Sequence, residues 1–178
     1  DFGGAIYNAS TGGFSRPVLN NVTFSGNSAI TFGGAMYSGV DSAGTASPVL
    51  SNVILWADTA GSSAPEIGGS AGARVNIDHS VVAGGCAAIG GASCGSGNTG
   101  ADPKLGALAD NGGFAQTMLP GAGSSAIDAG SAATCANAWV DNVDQRGATR
   151  PQGNGCDIGA VEVGIVHDLI FTDGFETL

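Results

Sequence analysis

Charge is scarce in this chain. Only 11% of its 178 residues are charged, and five are basic: Arg16, Arg74, Lys104, Arg146 and Arg150. They form no basic stripe, which argues against a nucleic-acid partner and against a surface drawn to anionic lipid. Long apolar runs are missing too. No 18 consecutive residues are apolar, so no membrane span is predicted. There is no Cys-x-x-Cys pair, which argues against a zinc ribbon or a thioredoxin-like motif. There is no EF-hand loop and no Gly-Gly-x-Gly-x-Asp array. Helix-forming texture is also thin. The chain carries 32 glycines, and each costs about 1 kcal/mol relative to Ala inside a helix. No signal peptide is visible, and the chain opens without Met inside a repeated block. It is therefore expected to be the C-terminal piece of a longer exported protein.

What is present favours strands. Val, Ile, Thr, Asn, Gly and Ser dominate, and hydrophobic residues make up 43%, enough for a core. Phe2-Gly3-Gly4-Ala5-Ile6-Tyr7 returns 30 positions later as Phe32-Gly33-Gly34-Ala35-Met36-Tyr37. Pro17-Val18-Leu19-Asn20-Asn21-Val22 returns 31 positions later as Pro48-Val49-Leu50-Ser51-Asn52-Val53. Two blocks returning in order at this spacing mark a stacked repeat. A propeller blade needs a longer period of about 40–45 residues, and no helical segment separates the strands. The expected fold is all-β: a right-handed parallel β-helix, a pectin-lyase-like solenoid, with coils over 1–100. Val18, Val22 and Phe24 read as one strand with Leu19 out of phase. The Gly-Gly pairs mark bends that need positive φ or close backbone approach. Arg74–Val82 reads as a degraded third copy.

Asn21 and Asn52 occupy equivalent places and are predicted to form a stacking ladder. Asn8-Ala9-Ser10 and Asn21-Val22-Thr23 also match glycosylation acceptors, but the position of Asn21 within the repeat favours the ladder. The four cysteines allow three pairings. Cys86 with Cys94 would close a small surface loop, and Cys135 with Cys156 would close the segment after residue 101. That segment, 101–163, has lost the repeat but keeps short apolar strands. A repeat stack needs its open edge covered, so 101–163 is predicted to cap the end. Residues 164–178 form an apolar tail with an acidic end.

The GGA-aliphatic-Tyr blocks and Phe24-Ser25-Gly26-Asn27 resemble repeats of right-handed β-helix surface proteins, including the polymorphic outer-membrane protein family. The second half has further motifs: Asp102-Pro103, Asp110-Asn111-Gly112-Gly113, Ser125-Ala126-Ile127-Asp128-Ala129-Gly130, Asp144-Gln145-Arg146-Gly147, Arg150-Pro151 and Cys156-Asp157-Ile158-Gly159-Ala160-Val161-Glu162. These resemble the choice-of-anchor Q domain of bacterial exported proteins, with Ser125 where that family usually has Pro. The ending Ile170-Phe171-Thr172-Asp173-Gly174-Phe175-Glu176 resembles a short terminal motif on exported proteins of some gammaproteobacteria. The resemblance implies export and an extracellular or outer-membrane-associated location in a Gram-negative bacterium.

Catalytic chemistry is not predicted. Glycoside cleavage uses two carboxylates about 5–9 Å apart, yet no equivalent positions of successive copies both carry acids: Asp58 matches Asn27, and Asp41 has no acidic counterpart. Asp78 and His79 are adjacent on a strand, so they are expected to face opposite ways and form no dyad. No catalytic or cofactor-binding residue is assigned. Asp128, Asp144 and Asp157 are candidate calcium ligands, suggested by the net charge of -10 and by acids gathered after Asp102. The favoured alternative is an ion-paired lock with Arg146 as a bidentate fork. The expected function is a monomeric surface scaffold for adhesion or display, contacting a surface or carbohydrate ligand. The rivals are a carbohydrate-active enzyme with its active site upstream and a calcium-stabilised module.

Overall fold

The computed structural model describes residues 1–41, 43–61 and 64–164, so the tail from 165 onward lies outside the described residues. The first period lays down β1 (Ile6–Ser10), β2 (Phe14–Ser15), β3 (Val18–Asn20), β4 (Thr23–Ser25) and β5 (Ser28–Ala29). The second repeats the series as β6 (Met36–Val40), β7 (Thr45–Ala46), β8 (Val49–Ser51), β9 (Ile54–Trp56) and β10 (Thr59–Ala60). The third gives β11 (Ile67–Gly69), β12 (Val75–Asp78) and β13 (Val81–Val82), and β14 (Ala92–Cys94) follows. We call the three periods tiers.

The first two tiers contribute to the same five sheets and the third to three of them, and all strand pairs are parallel: β1-β6-β11, β2-β7, β3-β8-β12-β14, β4-β9-β13 and β5-β10. The register follows the repeat, with Tyr7 opposite Tyr37 and Leu19 opposite Leu50. The fold is thus all-β with parallel sheets.

The strand chemistry differs from the expected alternation. Val18 is exposed, whereas Leu19 turns inward in one row with buried Leu50 and Ile77. The cause is a corner at Asn21, whose φ is 52°. It separates β3 from β4, so a period of two cannot run through both. Phe24, Leu55 and Val82 form a second inward row. Tyr7 and Tyr37 stack outside, with ring centroids 5.7 Å apart. Gly34 allows close packing: a Cβ there would collide with the backbone of Thr59 and Pro65.

Two expectations about the ends change. Cys86 and Cys94 are bonded, as predicted. Their loop is more than a surface closure, however. β14 pairs with β12, and Cys86 and Ile89 pack against Ile77 and Val82, forming a layer below tier three. Residues 101–164 instead lie along the side. Ile158 and Ala126 bury the outward side chains Ile54 and Val81, Ala160 N–H donates to Thr23 Oγ1, and Gly159 N–H donates to the Asn52 carbonyl. Outward-facing apolar Ile54 and Val81 required a cover, and this region provides it. Its few backbone bridges are antiparallel, and its one helix, α1, is Ala132–Cys135. No helix among the described residues is long and apolar enough to cross a membrane.

Candidate functional site

The corner between the third and fourth sheets organises the polar chemistry. Asn21, Asn52 and His79 occupy it in successive tiers, with φ of 52°, 55° and 42°. Asn tolerates this left-handed region better than most residues, which explains the recurrence. Asn52 Nδ2 donates to Asn21 Oδ1 at 3.3 Å, so the ladder contact is present. Both side chains also reach outward. Asn21 Nδ2 donates to the Asp157 carbonyl, while Asn52 bonds the backbone of Ser131 through both its oxygen and its nitrogen. The Cys135–Cys156 disulfide lies against this pair. Asn21 is therefore bonded at the junction, and Asn8 is buried on Ser38 and Ser15.

Behind the corner, the acids of 101–164 bind backbone amides. Asp144 Oδ1 accepts from the amides of Arg146 and Ala148, and Oδ2 accepts from Glu162 N–H and Arg146 Nε. Burial pushes this carboxyl up. The amides of Glu162 and Ala148, then Arg146, outweigh it and leave the pKa below the usual carboxylate value. Asp157 accepts from the amides of Asp128 and Val163, and Asp128 accepts from Gly155 N–H. Burial pushes Asp157 up to about 6, with the two amides opposing the rise. These three carboxylates thus bind protein amides, and among the described residues no cluster of three or more His, Cys, Asp or Glu could hold a metal ion.

The expected Arg146 fork takes a different form. Nε and Nη2 both address the same oxygen of Asp144, and Nη2 also donates to the Glu162 carbonyl. The buried carboxylate–guanidinium pair is Arg150 with Glu162, 3.0 Å apart, with side chains at most 1% exposed. Arg150 also donates to the carbonyls of Asp157 and Gly159. Glu162 accepts in turn from the amides of Gln152 and Asp157. Glu162 escaped the sequence reading because nothing in its local pattern announces a buried partner.

Two other pairings differ from expectation. His79 Nδ1 lies 2.7 Å from Asp78 Oδ2. The strand ends at Asp78 and the chain turns at His79, so the opposite-faces rule does not extend across that step. Ser96 bonds the carboxylate and not the imidazole, so it is not placed as a nucleophile for His79. Asp58 and Glu66, from non-equivalent positions, are both buried acids, and each leaves one carboxylate oxygen without a donor. Comparing equivalent positions alone could not find them.

The open surface near the corner is apolar with an amide rim. Val18, Leu19, Val22, Asn20, Trp139 and Val140 line a groove of about 500 Å³. Trp139 is 92% exposed. A neighbouring cleft of about 420 Å³ adds Asn21, Thr23 and Gln145, with the paired charges Asp144 and Arg150 at its wall. No protein-family model, no curated protein and no solved structure matches this chain.

Proposed function

We propose that the chain is a non-catalytic exported scaffold, built as a right-handed parallel β-helix, that works in adhesion or display at a bacterial cell surface. The observation that carries this reading is the use of the charged groups in 101–164. Asp144, Asp157, Glu162, Arg146 and Arg150 are all turned onto backbone groups or one another. The sequence resemblance to β-helix surface proteins with a choice-of-anchor Q domain supports it. So do the parallel register of every strand pair and two disulfides, which are compatible with an oxidising, exported setting.

The Trp139 groove is the surface best suited to adhesion. An exposed indole offers a flat apolar face, and Asn20 and Gln145 offer neutral donors and acceptors. The nearest guanidinium, Arg150, is already paired with Glu162. This chemistry suits an uncharged carbohydrate. The rival, a carbohydrate-active enzyme, draws on the Asp78–His79 contact.

Incubation with a panel of insoluble and soluble polysaccharides separates the two. The scaffold reading expects retention on a neutral polysaccharide, lost in Trp139→Ala, with no new reducing ends and no unsaturated products. Product formation that disappears in His79→Ala would overturn it.

A further inference from the structure

We infer that Asp58 and Glu66 share a single proton at neutral pH, and that this proton holds the seam between tiers two and three closed. The backbone places Glu66 in an unusual row. Ala5 and Ile6 N–H both donate to the Ala35 carbonyl, and Ala35 and Met36 N–H both donate to the Glu66 carbonyl. The row therefore reads Ala5, Ala35, Glu66, with a carboxyl where the tier above carries a fully buried methyl. Asp58 stands below Asn27 and accepts from both its amide and its Nδ2, each at 2.7 Å, through Oδ1 alone. Both acids are buried, 3% and 4% exposed, and Asp58 Oδ2 and Glu66 Oε2 have no donor.

Two buried acceptor oxygens without a donor are costly unless a donor or an occupant reaches them. A proton is the smallest occupant, and it turns one acceptor into a donor. Among the described residues no Lys, Arg or His is ion-paired with either acid. The stretch that pairs with these residues, 26–36, holds no titratable side chain, and 56–69 holds only the pair itself. Burial, then the hydrogen bond and charge of Asp58, raise Glu66 to about 8, against an opposing bond from the Asp58 amide.

The sign follows from linkage. A carboxyl whose folded pKa exceeds its unfolded value binds its proton more tightly when folded. Its contribution is complete below the unfolded value of 4.5 and is lost as pH rises towards about 8. The seam is thus fastened in mild acid and loosened in mild alkali. A surface protein would hold this part of its stack most firmly in acidic surroundings.

The test is amide hydrogen exchange on the full chain between pH 6.5 and 9, corrected for the intrinsic pH dependence of exchange. Protection at Ala35 and Met36, whose amides bond the Glu66 carbonyl, is expected to fall about tenfold or more. Protection at Ala5 and Ile6, one tier away, should stay level. In Glu66→Gln, which mimics the protonated acid, the fall should vanish. A ¹³C-carboxyl titration of the unmodified protein provides a readout that does not depend on how the variant folds, and Glu66 should titrate near 8. Titration of Glu66 below pH 5, or an unchanged fall in Glu66→Gln, would overturn the inference. So would calcium alone restoring protection at pH 9, because the pair would then be a cation site.

Discussion

Residues 1–100 and 101–164 are held together in different ways. The first region relies on repetition. Each strand of the three tiers pairs with its counterpart 27 to 31 residues away, β14 pairs with β12 at 17, and the inward rows are mainly leucine, isoleucine, valine, phenylalanine or methionine. The second has almost no ladder and relies on individual side chains that satisfy particular backbone groups. A repeat distributes its stability over many similar contacts. A polar network concentrates it, because each buried member left unpaired is costly. Single substitutions should therefore hurt the second region more than the first.

The sharpest break is Glu162→Ala. It leaves the Arg150 guanidinium buried without its carboxylate and frees the amides of Gln152 and Asp157. Loss of one member of a buried pair costs about 3–5 kcal/mol. Urea unfolding should show this loss. Leu50→Ala, in the inward row of β8, falls in the usual range of about 2–5 kcal/mol and should sit at its lower end, because partner rows above and below remain. A larger loss for Leu50→Ala than for Glu162→Ala would reverse the comparison.

Next in size is the Cys135–Cys156 bond, which ties α1 to the Asn21–Asn52 corner. Replacing both cysteines by serine should cost about 3 kcal/mol, and slightly less for Cys86 with Cys94 because the closed loop is shorter. The two losses should also differ in kind. The first should expose Ile54 and Val81 to a hydrophobic dye, and the second should loosen β14. Equal dye binding in both variants would contradict the side placement of 101–164.

The corner offers a finer test. Asn52→Ala removes bonds to both Asn21 and Ser131 and forces alanine to a φ of 55°. About 2 kcal/mol is expected. Asn52→Gly relieves the backbone and should recover about 1 kcal/mol of it. The smallest effect belongs to Trp139→Ala. That side chain is 92% exposed, so stability should change by no more than about 0.5 kcal/mol.

The tiers were far more legible in the sequence than the side network. Matching GGA-x-Tyr and Pro-Val-Leu blocks give the register of Tyr7 on Tyr37 and Leu19 on Leu50 because a parallel stack copies its period into its pairing. Both disulfides could also be anticipated. The corners could not, because strand alternation is a rule for straight segments and fails where Asn21 or His79 turns the chain. That failure misplaced Leu19 and separated Asp78 from His79. Glu66 and Glu162 were illegible for another reason. Their roles depend on partners that neither repeat position nor local motif supplies, Asp58 in one case and Arg150 in the other. The segment 101–163 was expected at the end of the stack, yet the sequence holds the reason for its side placement. Ile54 and Val81 are apolar at outward positions, and only a lateral partner can cover them.

The central claim is that 101–164 is a side buttress whose charged groups serve structure. Residue-resolved hydrogen exchange on the full chain, with and without Glu162→Ala, tests it most directly. The buttress predicts loss of protection in β4, β8 and β9, which border Asn52, Thr23 and Ile54. It predicts little change in β1 and β6, to which no hydrogen bond from 101–164 runs among the described residues. Uniform loss across all sheets, or protection in β8 and β9 that stays at the level of the unmodified protein, would contradict it.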